Sequence, residues 1–228
     1  METKIDILQQ QKIYLESPNC FNKWSQFEDP DGCLKQYLFQ RFQWKNSIVL
    51  EAGAGTGRIT DYYVDEADKV YLTDNSENMI KLLNRKYEKK TKVVPFLCDH
   101  SELWKMHTLN PSVFISAFSL GYIFTDCLLS SKEIERQLKK IIPSNAKVII
   151  IECTGVFNRF DNAPEGFLNY VMRLNSLFES DTIETCFRFD TIYEAIECAT
   201  GLFSKEVACE IEKSGLLEIP DYITVWHN

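Results

Sequence analysis

Three glycines at alternate positions, Gly53, Gly55 and Gly57, directly follow the apolar run Ile48-Val49-Leu50. The run reads as a buried strand, and Ile59 to Val64 reads as the start of a helix. Glycine reaches backbone conformations that a Cβ closes off, so a strand passing through these residues into a helix can turn sharply. Such a turn brings backbone N–H groups and a helix N-terminus to one point and lets a ligand approach the backbone closely. The chain is therefore read as an α/β protein built around a nucleotide-type binding turn.

The spacing decides between nucleotides. A dinucleotide fingerprint is G-x-G-x-x-G, with the pyrophosphate on the helix N-terminus. Here the third glycine comes one residue early and Arg58 stands where that fingerprint places glycine. Glu51, the acid just after the apolar run, would repel a pyrophosphate but suits a ligand carrying an amino group and a sulfonium. The string Glu51-Ala52-Gly53-Ala54-Gly55-Thr56-Gly57 resembles motif I, E/D-x-G-x-G-x-G, of the class I S-adenosylmethionine (SAM)-dependent methyltransferases. The resemblance implies a Rossmann-like three-layer sandwich with a mostly parallel seven-stranded sheet and an antiparallel last strand. It implies SAM as cofactor, leaving as S-adenosylhomocysteine, with contacts from Glu51, Gly53, Ala54, Gly55 and Gly57. Arg58 either meets the SAM carboxylate or covers the helix start.

The positions downstream extend the resemblance. Lys69 to Thr73 reads as the second strand, and Asp74 ends it, where a carboxylate can accept hydrogen bonds from both ribose hydroxyls. Asn75-Ser76-Glu77 caps a helix from Asn78 to Tyr87, and Asp74 to Met79 resembles the family pattern D-x-S-x-x-M. That implies a cofactor contact at Asn75 and packing of Met79 on the adenine. After a third strand, Val93 to Leu97, Asp99 resembles the acid that accepts from the adenine amino group, although a helix cap explains it too. His100 beside it is a packed loop residue, a cofactor contact or a base.

Val113 to Leu120 reads as a fourth strand, whose end lies beneath the transferring methyl group in the family; Ser119 and Tyr122 are placed to face the site. An [N/D/S]-P-P-[Y/F/W] motif is absent, which argues against adenine, cytosine and glutamine-amide acceptors. A helix from Ser130 to Ile142 leads to the fifth strand, Ala146 to Ile151. Glu152 follows, outside a strand carboxyl end, where it holds a substrate amine, takes a proton or makes a structural contact. Methyl transfer needs alignment and exclusion of water more than covalent help. No catalytic residue is therefore fixed, and Tyr122, Glu152 and His100 are the candidates.

The flanks are less specific. The division expected is one methyltransferase domain over 1–228, with an N-terminal helical lid over 1–46, a SAM-binding core over 47–155 and a C-terminal half over 156–228. Ile5, Leu8 and Leu15 recur on one helical face, and Leu34, Tyr37, Leu38 and Phe42 on another, with the turn Asp29-Pro30-Asp31-Gly32 between. Tyr14, Phe21, Trp24 and Phe27 are candidate lid residues or, equally, core aromatics; Tyr14 and Trp24, with Tyr122 and Arg159, are candidates for substrate binding. After a helical stretch within 157–180, a strand is expected over Ile183 to Phe189. Two helices meeting around Gly201 follow as an insertion, and then a closing strand from Ile219 to His227, broken at Pro220. Arg188 pairs with a substrate carboxylate or makes a surface salt bridge.

Composition narrows the partners. The eight cysteines include no C-x-x-C pair, and no zinc spacing accompanies Cys98 and His100, so no metal is expected. The net charge of −8 argues against a polyanionic partner, and the basic run Lys81 to Lys92 is read as a solvated helix face. No window of about 18 residues is apolar throughout and no leader pattern opens the chain, so a cytoplasmic protein without a membrane partner is expected, as monomer or homodimer. Three functions fit: a methyltransferase for a small molecule, one for RNA or protein, and a SAM-binding scaffold without turnover.

Overall fold

The computed structural model describes residues 7–125, 128–156 and 163–228. Arg159 and Cys127 lie outside them. Seven strands form one sheet: β1 (Ile48–Ala52), β2 (Lys69–Asp74), β3 (Val93–Leu97), β4 (Val113–Ala117), β5 (Lys147–Val156), β6 (Glu179–Arg188) and β7 (Glu218–His227). Their order is β3-β2-β1-β4-β5-β7-β6, mostly parallel with antiparallel pairing among the last strands. The Rossmann-like architecture expected from the sequence is the one observed. β1, β4 and β5 are central and parallel, with Val49 opposite Val113 and Phe114 opposite Val148. Strands covered on both faces must be apolar throughout, which is why these three carry unbroken runs rather than alternation.

Two compact units emerge from the packing. The larger comprises Lys35–Glu152, Pro164–Asp181 and Thr224–Asn228. Its helices begin where the sequence supplies caps. The Ser76 side chain accepts from the Met79 N–H to start α5 (Glu77–Lys86), and Ser130 and Glu133 form a reciprocal capping box at α7 (Ser131–Ile141). In α7, Ile134, Leu138 and Ile141 are buried at helical spacing.

The smaller unit comprises Met1–Leu34, Cys153–Ala163 and Thr182–Ile223. It holds α1 (Ile7–Glu16), α2 (Pro18–Ser25), α9 (Ile192–Leu202) and α10 (Lys205–Ser214). Its core gathers Trp24, Phe187, Phe189, Ala195, Cys198 and Ile211. Trp24 is therefore the core aromatic and not a substrate-facing residue. The reason is Gly201: a Cβ there would lie 2.2 Å from the Trp24 ring. Tyr14 packs edge-on against Phe21, and Phe27 against Phe189, in the same unit. Arg188 makes the salt bridge, two-pronged to Asp31 and single to Glu218. Asp221 is wholly buried beside Glu28 and accepts a hydrogen bond from the Cys153 thiol at 3.1 Å. Burial, then the neighbouring Glu28 charge, pushes the Asp221 carboxyl up to about 8.

Several boundaries differ from expectation for visible reasons. β4 stops at Ala117, not Leu120, because Phe118 takes a left-handed backbone (φ 53°) that no strand can continue. β7 runs through Pro220 without a break, since proline's fixed φ suits extended backbone and costs the ladder one donor. α9 and α10 meet at Phe203-Ser204; Gly201 lies within α9 and is there to admit Trp24.

Gly201→Ala tests that packing. In an ordinary helix the change stabilises by about 1 kcal/mol. Here the added methyl strikes the indole, and overpacking of this kind costs about 1–3 kcal/mol. Urea denaturation should show a lowered midpoint; a raised one would mean that Trp24 does not sit on Gly201.

Candidate functional site

All the cofactor-binding candidates fall within the larger unit, at the carboxyl ends of β1 to β4. Gly53, Gly55 and Gly57 have φ of 69°, 56° and 76°. The alternate glycines are thus required one by one, because each occupies the left-handed region. The turn is tied down from several sides. The Ala54 N–H donates to the Thr73 carbonyl at 2.9 Å, and the Gly55 N–H donates to Asp74 Oδ2 at 2.9 Å. Lys86 Nζ donates to the carbonyls of Thr56 and Gly57, both at 2.9 Å, and pairs with Asp61 at 2.6 Å. An ammonium has three donors, and these contacts match that number. Lys86 comes from the basic run read as a solvated face; nothing in the sequence separates it from its neighbours.

Asp74 is buried at the end of β2, its second oxygen accepting the Ser76 N–H at 2.9 Å. Asn75 is exposed, while Met79 is fully buried, so its side chain lies beneath the surface and not on an open wall. Asp99 caps the 3-10 helix that follows β3 by accepting from the Ser101 N–H at 2.9 Å. Hydrogen bonds from Ser101, and from Asn75, hold its carboxyl below the usual carboxylate range. The cap and the adenine-facing acid are therefore compatible readings of one exposed residue.

His100 and Ser119 meet: the imidazole Nε2 lies 2.9 Å from Ser119 Oγ. Burial lowers the His100 pKa against the pull of Asp99 and Asp74, favouring the neutral ring. Gly53 makes the meeting possible. A Cβ on Gly53 would stand 1.8 Å from Ser119 Oγ. Arg58 places its guanidinium over the Phe118 ring, 5.0 Å from the centroid. The strained backbone of Phe118 marks the segment between β4 and α6 (Gly121–Thr125) as one held by its surroundings. Its sequence reads as more strand, so no local signal reveals it. Tyr122 is exposed at the start of α6.

Two acids sit deeper than the sequence implies. Glu51 is set above as a counter-charge for an ammonium, yet its side chain is enclosed. Glu51 Oε2 accepts from the Thr60 and Tyr63 hydroxyls, each at 2.5 Å, and the Tyr63 ring stacks on Trp44. The carboxyl thus anchors α4 (Thr60–Tyr63) to β1. Burial raises its pKa to about 7, opposed by those two hydrogen bonds. Glu152, the last residue of β5 in this unit, is likewise buried. Its Oε1 accepts from the Gly121 N–H at 2.8 Å and the Tyr170 hydroxyl at 3.3 Å, and burial raises its pKa to about 8. An acid so enclosed does not touch an acceptor, so the geometry favours the structural-contact reading of Glu152 over the base.

Most of these residues fall in a stretch that matches a known domain. Residues 49–141 match the family model described as "Methyltransferase domain". The resemblance to class I methyltransferases holds over that stretch. Among solved structures, a putative methyltransferase from Bacillus halodurans C-125 shares 11% identity over 85% of this chain and 96% of its own, with a TM-score of 0.55. The [4+2]-cyclase SpnF shares 13% identity over 99% and 98%, with a TM-score of 0.56. Precorrin-6y C5,15-methyltransferase from Geobacter metallireducens GS-15 shares 11% over 85% and 86%, with a TM-score of 0.51. At such identities the likeness is one of fold. No curated protein sequence matches the chain. No helix among the described residues is long and apolar enough to cross a membrane.

Glu51 gives a stability test with a definite sign. Its folded pKa of about 7 lies above the ordinary 4.5, so the folded state holds the proton more tightly. The cost of ionising it in place is absent below pH 4.5, grows as pH rises, and is complete above pH 7. Glu51→Gln keeps a carbonyl for Thr60 and Tyr63 but does not titrate. The variant's stability relative to the wild type should climb across that window by up to about 3 kcal/mol. Denaturation midpoints at pH 4.5, 6 and 8 check it; a constant difference would mean that Glu51 is not enclosed.

Proposed function

We propose that this chain is a SAM-dependent methyltransferase that transfers a methyl group to an oxygen or nitrogen nucleophile on a small molecule. The observation that carries the reading is the glycine turn of β1, left-handed at three alternate residues and bonded directly to the acid that ends β2. The methyltransferase domain matched over residues 49–141 supports it.

The residues at the turn, at the end of β2 and after β3 would serve the ribose, adenine and carboxylate of SAM, while the enclosed Glu51 leaves its ammonium without that partner. Asp74 would accept from the ribose hydroxyls and Asp99 from the adenine amino group, with Asn75 and His100 alongside. The glycine turn would admit the closest backbone contact, and Arg58 would hold the carboxylate. When bound, SAM supplies a methyl group made electrophilic by its sulfonium and displaced in line by the acceptor. The chain's own work is then to align the acceptor and exclude water. Tyr122, exposed at the start of α6, is the acceptor-facing hydroxyl. His100, neutral and bonded to Ser119, is the group able to take a proton if the nucleophile arrives protonated. The excess of acids favours a small acceptor over a nucleic acid.

Calorimetric titration with SAM, S-adenosylhomocysteine and NAD tests the assignment. Both adenosyl ligands should bind and NAD should not. Asp74→Ala should weaken SAM binding by about 10- to 150-fold, because hydrogen bonds to a charged group contribute roughly 1.5–3 kcal/mol. An unchanged affinity would remove Asp74 from the site.

A further inference from the structure

Besides the backbone bond from the Phe118 N–H to the Ile151 carbonyl at 2.7 Å, three further contacts tie the segment Phe118–Gly121 to residues of, or just beyond, three different strands. The Phe118 ring lies under Arg58, which follows the β1 turn. Ser119 Oγ reaches His100, just beyond β3. The Gly121 N–H donates to Glu152, on β5. At Phe118 the backbone is left-handed, a strained conformation that its surroundings must hold. The first two fastenings involve residues assigned to the cofactor. The third involves a carboxyl that no step of the proposed reaction uses.

From this geometry we infer that Glu152 is a positioning residue, setting the cofactor site through Gly121 and the Phe118–Gly121 segment. The surroundings make that contact specific. Gly121 is glycine because a Cβ would lie 2.6 Å from the Phe167 ring and 3.3 Å from Glu152 Oε1. Phe167 and Tyr170 come from α8 (Glu165–Leu177), and the Tyr170 ring stacks on Phe124 of α6 at 4.6 Å between centroids. The Tyr170 hydroxyl donates to the same Glu152 oxygen, Oε1, at 3.3 Å. Among the described residues, the groups that act on its protonation are the Gly121 N–H and Tyr170, with burial the largest influence. Ionised, the carboxylate accepts a charge-assisted bond from Gly121; protonated, a weaker neutral one. The grip on the segment therefore tightens as pH rises through about 8. Among the described residues, His100 and Arg58 are the other titratable or charged side chains whose contacts with the segment are seen.

The inference rests on the SAM-binding reading for its consequence, but not for its test. Glu152→Gln keeps the shape and a carbonyl acceptor and removes the titration, so the fold is preserved. Amide hydrogen exchange at Gly121, corrected for intrinsic rates, and S-adenosylhomocysteine affinity are measured for both proteins from pH 6.5 to 9.5. The wild-type-to-variant ratio of Gly121 protection should rise about 3- to 10-fold across pH 8, and the ratio of affinities should rise with it. Using the ratio cancels the titrations of His100, Glu51 and the ligand, which both proteins share. Glu152→Ala, which removes the acceptor, should weaken affinity at least about 10-fold. A protection ratio flat with pH would overturn the inference, as would a rising one with no change in affinity. If the wild type binds no S-adenosylhomocysteine, the functional reading falls. The positioning role of Glu152 toward that cofactor then falls with it, and the exchange data still decide whether the carboxyl holds Gly121.

Discussion

The hydrogen bond from the Gly55 N–H to Asp74 is the joint on which the site depends. It links the turn after β1 to the end of β2 across adjacent parallel strands, so two loops that diverge in sequence share one carboxylate. The bond requires Gly55 to present its N–H from a left-handed backbone, and it requires an acid at the last residue of β2. The Ser76 N–H on the other oxygen then starts α5, whose Lys86 returns to hold the carbonyls of Thr56 and Gly57. The N–H groups of Ala54 and Gly55 and the carbonyls of Thr56 and Gly57 are thereby satisfied, the two carbonyls by the one ammonium. A loop of this kind would otherwise leave buried backbone polar groups unpaired, at a cost of about 1–3 kcal/mol each.

Steric allowance follows the same logic. Gly53 leaves room for the Ser119–His100 pair, Gly121 for Phe167, and Gly201 for Trp24. Only the first belongs to the recognisable glycine pattern. The other two are ordinary glycines in sequence, and what each admits comes from a residue far along the chain. Substituting either would be misjudged from local propensity alone, because the sign of the effect is set by a distant ring.

This is also the boundary of what could be read from residues. The turn, the acids ending β2 and following β3, and the presence of the first five strands were legible because they rest on local signals: apolar runs, glycine spacing, and caps such as Ser76 and Ser130; the end of β5 was not, since it runs past Ile151 to Val156 and takes in Glu152. The continuation of β7 through Pro220, the stop of β4 at Phe118 and the role of Lys86 were not. Each is settled by a partner distant in sequence. The Trp24 ring follows the same rule: its aromatic character is visible, but whether it faces a ligand or a core depends on Gly201, 177 positions away.

Burial changes the meaning of the acids most. Glu51 and Asp74 are both carboxylates at the ends of neighbouring strands, and the sequence points both toward the cofactor. In the fold, Glu51 gives its oxygen to two hydroxyls and fastens α4, whereas Asp74 gives its oxygens to backbone N–H groups and fastens the turn. The difference lies in the donors that fill the coordination sphere. Hydroxyls leave the raised pKa of Glu51 largely intact, near neutrality, because desolvation outweighs them. Glu152 repeats the arrangement with one N–H and one hydroxyl, and Asp221 repeats it in the other unit with a thiol. Three acids that ionise near neutral pH inside one chain make its stability fall as pH rises through that range. The same acids hold α4, α6 and β7 in place. The chain therefore accepts a pH-dependent core in exchange for holding those elements in place.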